Sequence, residues 1–351
     1  MIPGKLKKGD EIRIISPSRS LNCLDQQRNE CAKRKLKNYG FKVSFSKYAN
    51  DVDFAKSASI RKRVEDLHEA FIDKNVKAIL TATGGYNVNQ ILNYIDYEII
   101  KENPKIICGF SDITALLNAI YKKTGLETYY GPNYFNFGMK KGFEYTYEYF
   151  KKMLMSNQKL EIISSTEWSD DKWWKDQENR IFIKNEGMFT INSGEAEGIV
   201  VGGNLCTFNL LQGTKYMPNL SDKILFLEDD DMAGNKFQYE FDRNFESLIQ
   251  SLDINKIRGI VFGRAQKECD MTNEVWRNLI KNKRELINIP IIGGCDFGHT
   301  TPTITFPIGG NVKIVADDEN VTITIENNEN KVNWKVCFIF LGKSNYDEVI
   351  V

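Results

Sequence analysis

Apolar and polar positions follow two rhythms along the first third of the chain. "EIRIIS", "FKVSFS" and "VKAILTAT" are short runs rich in β-branched and aromatic residues and read as strands. "LDQQRNECAKRKLKNYG" and "SIRKRVEDLHEAFID" repeat their apolar positions at helical spacing, and Gly40 closes the first of them. After the turn "GGYN" the pattern predicts a helix over "VNQILNYI", a strand over "KIICGF" and a further helix beginning near Ser111. Strands that alternate with helices make right-handed crossovers and hence a parallel sheet covered on both faces. In such a sheet active groups sit at the carboxyl ends of the strands, so "TATGGYN" and "CGFSD" are expected to converge on one crevice.

The character changes between about Met139 and Glu195. "FEYTYEYFKKMLMSNQKL" keeps a helical period, whereas "STEWSDDKWWKDQENR" has none and reads as a long loop. Beyond it "EAEGIVVGGNL", "KILFLEDD", "IRGIVFGRA" and "IPIIGGCDFG" read as strands, with "FQYEFDRNFESLIQSL" and "NEVWRNLIKNKREL" as helices, and "NVKIVADD" and "VTITIENN" form a β-rich end. At 351 residues the chain exceeds the size of one ordinary core. The expected organisation is an N-terminal α/β domain over 1–150, a connection with a Trp-rich loop over 151–190, and a smaller C-terminal α/β domain rich in β over 191–351.

Charge and cysteine usage narrow the partners. Lys plus Arg is 47 and Asp plus Glu is 47, leaving no net field to gather nucleic acid or an anionic membrane. A small molecule or peptide is therefore the expected partner. The seven cysteines are scattered without a C-x-x-C pair, which argues against a disulfide framework and a zinc site, and no metal or cofactor is expected. With no signal-like N-terminus and no apolar window of membrane-spanning length, a soluble cytoplasmic protein that starts near Met1 is expected.

Ser111 stands where the strand "KIICGF" gives way to a helix. A serine there can be an N-cap, or a nucleophile beside free N–H groups that would hold an oxyanion. The chain contains only two histidines, so a general base for Ser111 must be His68 or His299. His68 lies on a charged helix and reads as a surface residue, whereas His299 follows an apolar strand among glycines in "GGCDFGHTTP" and is the better base. Glu228, the first carboxylate after the strand "KILFL", can orient the imidazole, although the run Glu228 to Asp231 also reads as a solvated acidic turn. The order Ser, acid, His is one of several known to give this geometry. "GFSDI" has Ile113 where the G-x-S-x-G elbow places its last glycine. A rival reading is a non-catalytic nucleotide or small-ligand binding module with Ser111 as a phosphate-binding cap.

"TATGGYNVNQIL", "GFSDITALLNAIY", "GIVVGGNL", "FLED" with "YEFDRNFESL", and "DFGHTTP", in this order, resemble the LD-carboxypeptidase family of serine peptidases over most of the chain. The resemblance implies an amidotransferase-like, flavodoxin-like N-terminal domain joined to a smaller C-terminal domain, with Ser111 as nucleophile, Glu228 as acid and His299 as base across the interface. It also implies a homodimer, and Asn204 of "VGGNL" matches a family position near the substrate. Asp112 and Gly85 are the expected oxyanion donors, one at the helix N-terminus and one from the glycine turn. The family has a muropeptide LD-carboxypeptidase branch and a microcin C immunity branch with a longer Trp-rich loop before "GEAEG". "EWSDDKWWKDQENRIFIKNEGMF" is similar to that loop, where Trp173 or Trp174 could stack on a nucleobase or simply anchor the segment. The expected activity is cleavage of the amide between an acidic aminoacyl group and a nucleotide-like moiety, with muropeptide trimming as the alternative.

Overall fold

The computed structural model describes residues 1–250, 256–317 and 320–327. The end of the expected C-terminal domain, 328–351, lies outside the described residues. Two sheets organise the rest. The first has five parallel strands ordered Lys42–Phe45, Glu11–Ile15, Val76–Thr81, Ile106–Gly109 and Thr128–Tyr130, with Phe306–Ile308 added antiparallel at the edge. This is the doubly wound order of a flavodoxin-like sheet. Its strands are apolar runs because helices cover both faces: Leu67, Ala70 and Phe71 of Ile60–Ile72 are buried, as are Leu116, Leu117 and Ile120 of Thr114–Thr124.

The second sheet has eight strands. Gly194–Asn204, Lys223–Glu228, Gly259–Gly263 and Ile291–Cys295 run parallel at its centre. Antiparallel strands flank them, Asn311–Ala316, Val321–Ile325 and Leu160–Glu161 on one side and Phe189–Asn192 on the other. The mixed α/β class expected from the alternating pattern is what the chain adopts. Asn311–Ala316 shows the alternation of a sheet with one wet face, Val312, Ile314 and Ala316 being buried and Lys313 exposed.

Several segments differ from the pattern. "VNQILNYI" forms the 3-10 segment Val88–Tyr94, since Asp96 accepts from Glu98 N–H and starts a separate helix, Tyr97–Glu102. The helix over "FEYTYEYFKKMLMSNQKL" covers Glu144–Met155 only. The Asn327 amide donates to Ser156 O at 2.6 Å and Met153 O at 3.3 Å, closing that end and freeing Leu160–Glu161 to pair with Val321–Ile325. Thr128–Tyr130, Phe189–Asn192 and Phe306–Ile308 are strands of three or four residues, too short to produce a period.

The halves dock through backbone as well as core. Asn118, fully buried on the helix after Ser111, donates from Nδ2 to Gly202 O at 2.7 Å and accepts from Gly202 N–H at 3.2 Å. Asn204 N–H donates to Thr114 Oγ1 at 3.0 Å. A Cβ on Gly203, whose φ is +124°, would stand 2.7 Å from Thr114 Oγ1 and from Tyr130 Cε2, so the "GG" of "VVGGN" admits the helix that follows Ser111.

Candidate active site

The carboxyl ends of the two sheets face each other across a cleft of about 400 Å³. Ser111 follows the strand Ile106–Gly109 and holds φ at +66°, a left-handed conformation rare for a residue with a side chain. This sharp turn directs Oγ to the rim and leads through Ser111–Ile113 into the helix Thr114–Thr124. Ser111 is thus no N-cap, as no side-chain cap bond starts either segment.

Across the interface, Glu228 ends its strand and His299 follows Ile291–Cys295. His299 Nε2 lies 3.1 Å from Ser111 Oγ, and Nδ1 lies 2.7 Å from Glu228 Oε2. The Glu228 side chain is 1% exposed and the His299 side chain 20%. A carboxylate in this position fixes the tautomer, because Nδ1–H must donate to it and Nε2 is left to the serine. Gly298 makes the approach feasible: its φ is +111°, and a Cβ there would stand 2.7 Å from Glu228 Oε2. Burial pushes the His299 imidazole down, but Glu228, Asp230 and Asp229 outweigh it and bring its pKa up to about 9. Burial beside Glu228 and Asp230 likewise raises Asp229 to about 7.

The glycine turn closes the other side. Neither Gly84 nor Gly85 has a positive φ; close approach is what demands them. A Cβ on Gly84 would stand 2.9 Å from Ser111 Cβ, and one on Gly85 would collide with Ser18 Oγ. The turn is tied to the Ser111 segment by Asp112, a buried carboxylate that accepts from Asn87 N–H and Val88 N–H, both at 2.9 Å, and from Ser18 Oγ at 2.5 Å.

Ser111, Glu228, His299, Gly85 and Asp112 are therefore brought together, with Gly85 among the cleft residues. Asn204 is not. It is 1% exposed, caps the helix Leu205–Asn209 by accepting from Thr207 N–H, donates to Asp229 at 3.0 Å, and does not line the cleft. His68 is also remote, accepting from Asp96 N–H at 3.0 Å. Of the loop tryptophans, Trp173 and Trp174 line the cleft. Trp173 is 4% exposed with its ring 4.5 Å from Phe135, while Trp174 is 41% exposed and meets Trp173 edge-on at 6.0 Å. Trp168 instead lies beneath Arg264 and Lys267. Paired backbone bonds between Ser169 and Thr301, two residues after His299, hold the loop to the site. Arg19 and Arg28 stand on the cleft wall, and Asp230 and Asp231 near His299.

The residue that the sequence pattern missed is Tyr130, whose hydroxyl donates to Glu228 Oε1 at 2.5 Å. The available signal was the doubly wound order itself: the strand after the helix that Ser111 leads into must end beside Ser111, and "TYYG" is that end. Among the described residues no group of three His, Cys, Asp or Glu is placed to hold a metal, and no helix is long and apolar enough to cross a membrane.

Serine, imidazole and buried carboxylate in one hydrogen-bonded line is the geometry that serine peptidases reach on several unrelated folds. The comparisons agree with this class. The chain belongs to the LD-carboxypeptidase family: the model of the family's N-terminal domain matches residues 12–131, and that of its C-terminal domain matches 197–314. YocD of Bacillus subtilis, classed by name as a carboxypeptidase, is 50% identical over 316 residues, covering 90% of this chain and 96% of that protein. The microcin C7 self-immunity protein MccF of Escherichia coli is 34% identical over 341 residues, covering 92% and 96%. A crystal structure of an MccF-like protein from Bacillus anthracis superposes with a TM-score of 0.93 at 54% identity, covering 93% of this chain and all of the other. A structure of MccF with aspartyl sulfamoyl adenosine gives 0.81 at 31% identity, covering 93% and 98%.

Proposed function

We propose that the protein is a serine peptidase that hydrolyses the amide between an acidic aminoacyl group and a nucleotide-like moiety, with Ser111 as nucleophile, His299 as base and Glu228 as its orienting acid. The observation that carries the substrate class is the presence of Trp173 and Trp174 on the wall of the cleft that holds Ser111. An indole offers a flat apolar face to a base and excludes water from the amide. The MccF complex with aspartyl sulfamoyl adenosine supports the same reading.

In the reaction His299 Nε2 takes the hydroxyl proton as Ser111 Oγ bonds to the carbonyl carbon. The N–H groups of Asp112 and Gly85 hold the resulting oxyanion. Collapse breaks the C–N bond, His299 returns its proton to the leaving nitrogen, and water then releases the acyl group by the same steps. Arg19 and Arg28 offer charge to the acidic side chain of the aminoacyl group. Those arginines would equally receive the terminal carboxylate of a muropeptide, which makes LD-carboxypeptidase activity the second reading.

The test is a hydrolysis panel of aspartyl sulfamoyl adenosine, its glutamyl analogue and an LD-muropeptide, run with wild type and Ser111→Ala. Preference for the nucleoside compounds supports the proposal, and turnover of the muropeptide alone replaces it with the second reading. Tight nucleotide binding, with no hydrolysis and no labelling of Ser111 by a fluorophosphonate, would establish a binding module instead.

A further inference from the structure

Glu228 has two carboxylate oxygens, and His299 uses one. The other, Oε1, receives the Tyr130 hydroxyl at 2.5 Å, and that hydroxyl oxygen in turn faces Ser111 N–H at 3.4 Å. The contacts form a ring. It passes from Ser111 Oγ to His299 Nε2 at 3.1 Å and from Nδ1 to Glu228 Oε2 at 2.7 Å. It then crosses the carboxylate to Tyr130 and returns to the backbone of Ser111. Ser111 and Tyr130 come from the first sheet, Glu228 and His299 from the second.

Tyr130 has no freedom to do otherwise. It is fully buried, its ring stacked on Phe306 at 5.0 Å and set edge-on to Phe110 at 6.1 Å and Phe297 at 6.4 Å. Its room depends on Gly203, where any side chain would press on the ring. Burial, and then the charge of Glu228, push the phenol pKa well above its ordinary value, so the hydroxyl remains a donor.

We propose that Tyr130 is a positioning residue that sets the plane of the Glu228 carboxylate, registers the two halves at the reacting atoms, and moderates how firmly His299 holds its proton. The inference rests on the serine-peptidase reading. A hydroxyl donating to one carboxylate oxygen withdraws charge from the other. It also occupies Ser111 N–H, which leaves the oxyanion to other amides, consistent with the assignment of Asp112 and Gly85.

Tyr130→Phe removes one oxygen and keeps the ring. The expected result is a fall in kcat on the order of 10- to 100-fold with KM changed less than about threefold. The His299 titration, followed by NMR of the imidazole, should move up by roughly half a unit to one unit because Glu228 Oε2 becomes a stronger partner. With two histidines in the chain, His68→Gln identifies the His299 signals. Placing 3-fluorotyrosine at position 130 keeps the hydroxyl and strengthens its donation, so it should shift the titration downward, and it serves if Tyr130→Phe folds poorly. A lower Tm with kcat and both titrations unchanged would reduce Tyr130 to a core residue and overturn the proposal. If wild type hydrolyses none of the panel and Ser111 is not labelled, the peptidase reading falls, while the two titrations still decide whether Tyr130 governs the Glu228–His299 pair.

Discussion

His299 must be neutral at Nε2 to take the Ser111 proton, yet its pKa is raised to about 9. At pH 7 only about one molecule in a hundred then carries a competent base, so kcat/KM should rise about tenfold per unit from pH 7 and level off near 9. Asp230 offers a direct perturbation, its Oδ2 lying 4.0 Å from His299 Nε2. Two charges at that distance interact by ~1 kcal/mol in water and ~4 kcal/mol at an effective dielectric of 20. With the two side chains only 20% and 23% exposed, the bulk-water value of ~1 kcal/mol is the lower bound, about 0.7 pH unit, and that bound is carried forward. Asp230→Asn should therefore lower the inflection to roughly 8 and raise kcat/KM at pH 7 about fivefold. The assay is kcat/KM against pH from 6 to 10 for both proteins. A wild-type inflection near the ordinary histidine value, or an inflection that Asp230→Asn leaves in place, would refute the reasoning. Stability runs the other way. An imidazole whose folded pKa exceeds its free value of 6.5 stabilises the fold fully below 6.5 and loses that contribution as pH rises through 9. Wild-type Tm should thus fall across that window, and His299→Gln should flatten the decline.

The alanine variants of Ser111, Glu228 and His299 should each lose turnover, on the order of 10⁴-fold or more for the serine and histidine; Ser111→Ala/His299→Ala should be scarcely worse than either single, and near-additive losses would count against one shared mechanism. Gly298→Ala sets a Cβ against Glu228 in a left-handed conformation, so kcat should fall by about 10²-fold or more, checked by steady-state kinetics and by circular dichroism for retained fold. Trp174→Ala should weaken an aminoacyl-nucleoside substrate by roughly 1 to 3 kcal/mol and an acyl dipeptide by less. Trp173→Ala, at a buried position, should cost about 3 kcal/mol of stability and impair both substrates; equal losses on the two substrates for both variants would remove the stacking role.

Strand ends were legible wherever an apolar run was long enough to mark a strand: Ser111 follows "KIICGF", Glu228 closes "KILFLE" and His299 lies a few residues past "IPIIGGC", and with two histidines in the chain His299 was the one at a strand end. Asn204 came from the resemblance and not from a strand end; it closes its strand in register with Glu228, and its side chain caps Leu205–Asn209, as a short polar residue before a helix does, without lining the cleft. The glycine turn was legible as a feature but not in its cause, since the demand comes from Ser111 and Ser18, which approach from other segments. Tyr130 was legible only through the strand order that sets its strand end beside Ser111, not through its own pattern: three consecutive buried residues give no alternation, and its partner lies 98 positions away.

The first sheet supplies Ser111 and the glycine turn, the second Glu228 and His299, so the site exists only while the sheets are docked. The contacts that dock them are the ones nearest the chemistry. Asn118 and Thr114 lie on the helix that Ser111 leads into, and both bind the strand that pairs with the Glu228 strand. The strand Phe306–Ile308, only a few residues beyond His299, leaves the second half to join the first sheet beside Thr128–Tyr130. The chain between His299 and Phe306 is therefore short and held at both ends, by Glu228 on one side and by the Tyr130 strand on the other. A split site invites looseness at its seam, and a 1 Å error there would cost about 10²-fold in rate. Crossing the seam with a strand, buried side-chain bonds to backbone and the Tyr130–Glu228 contact makes placing His299 part of the same packing that joins the halves.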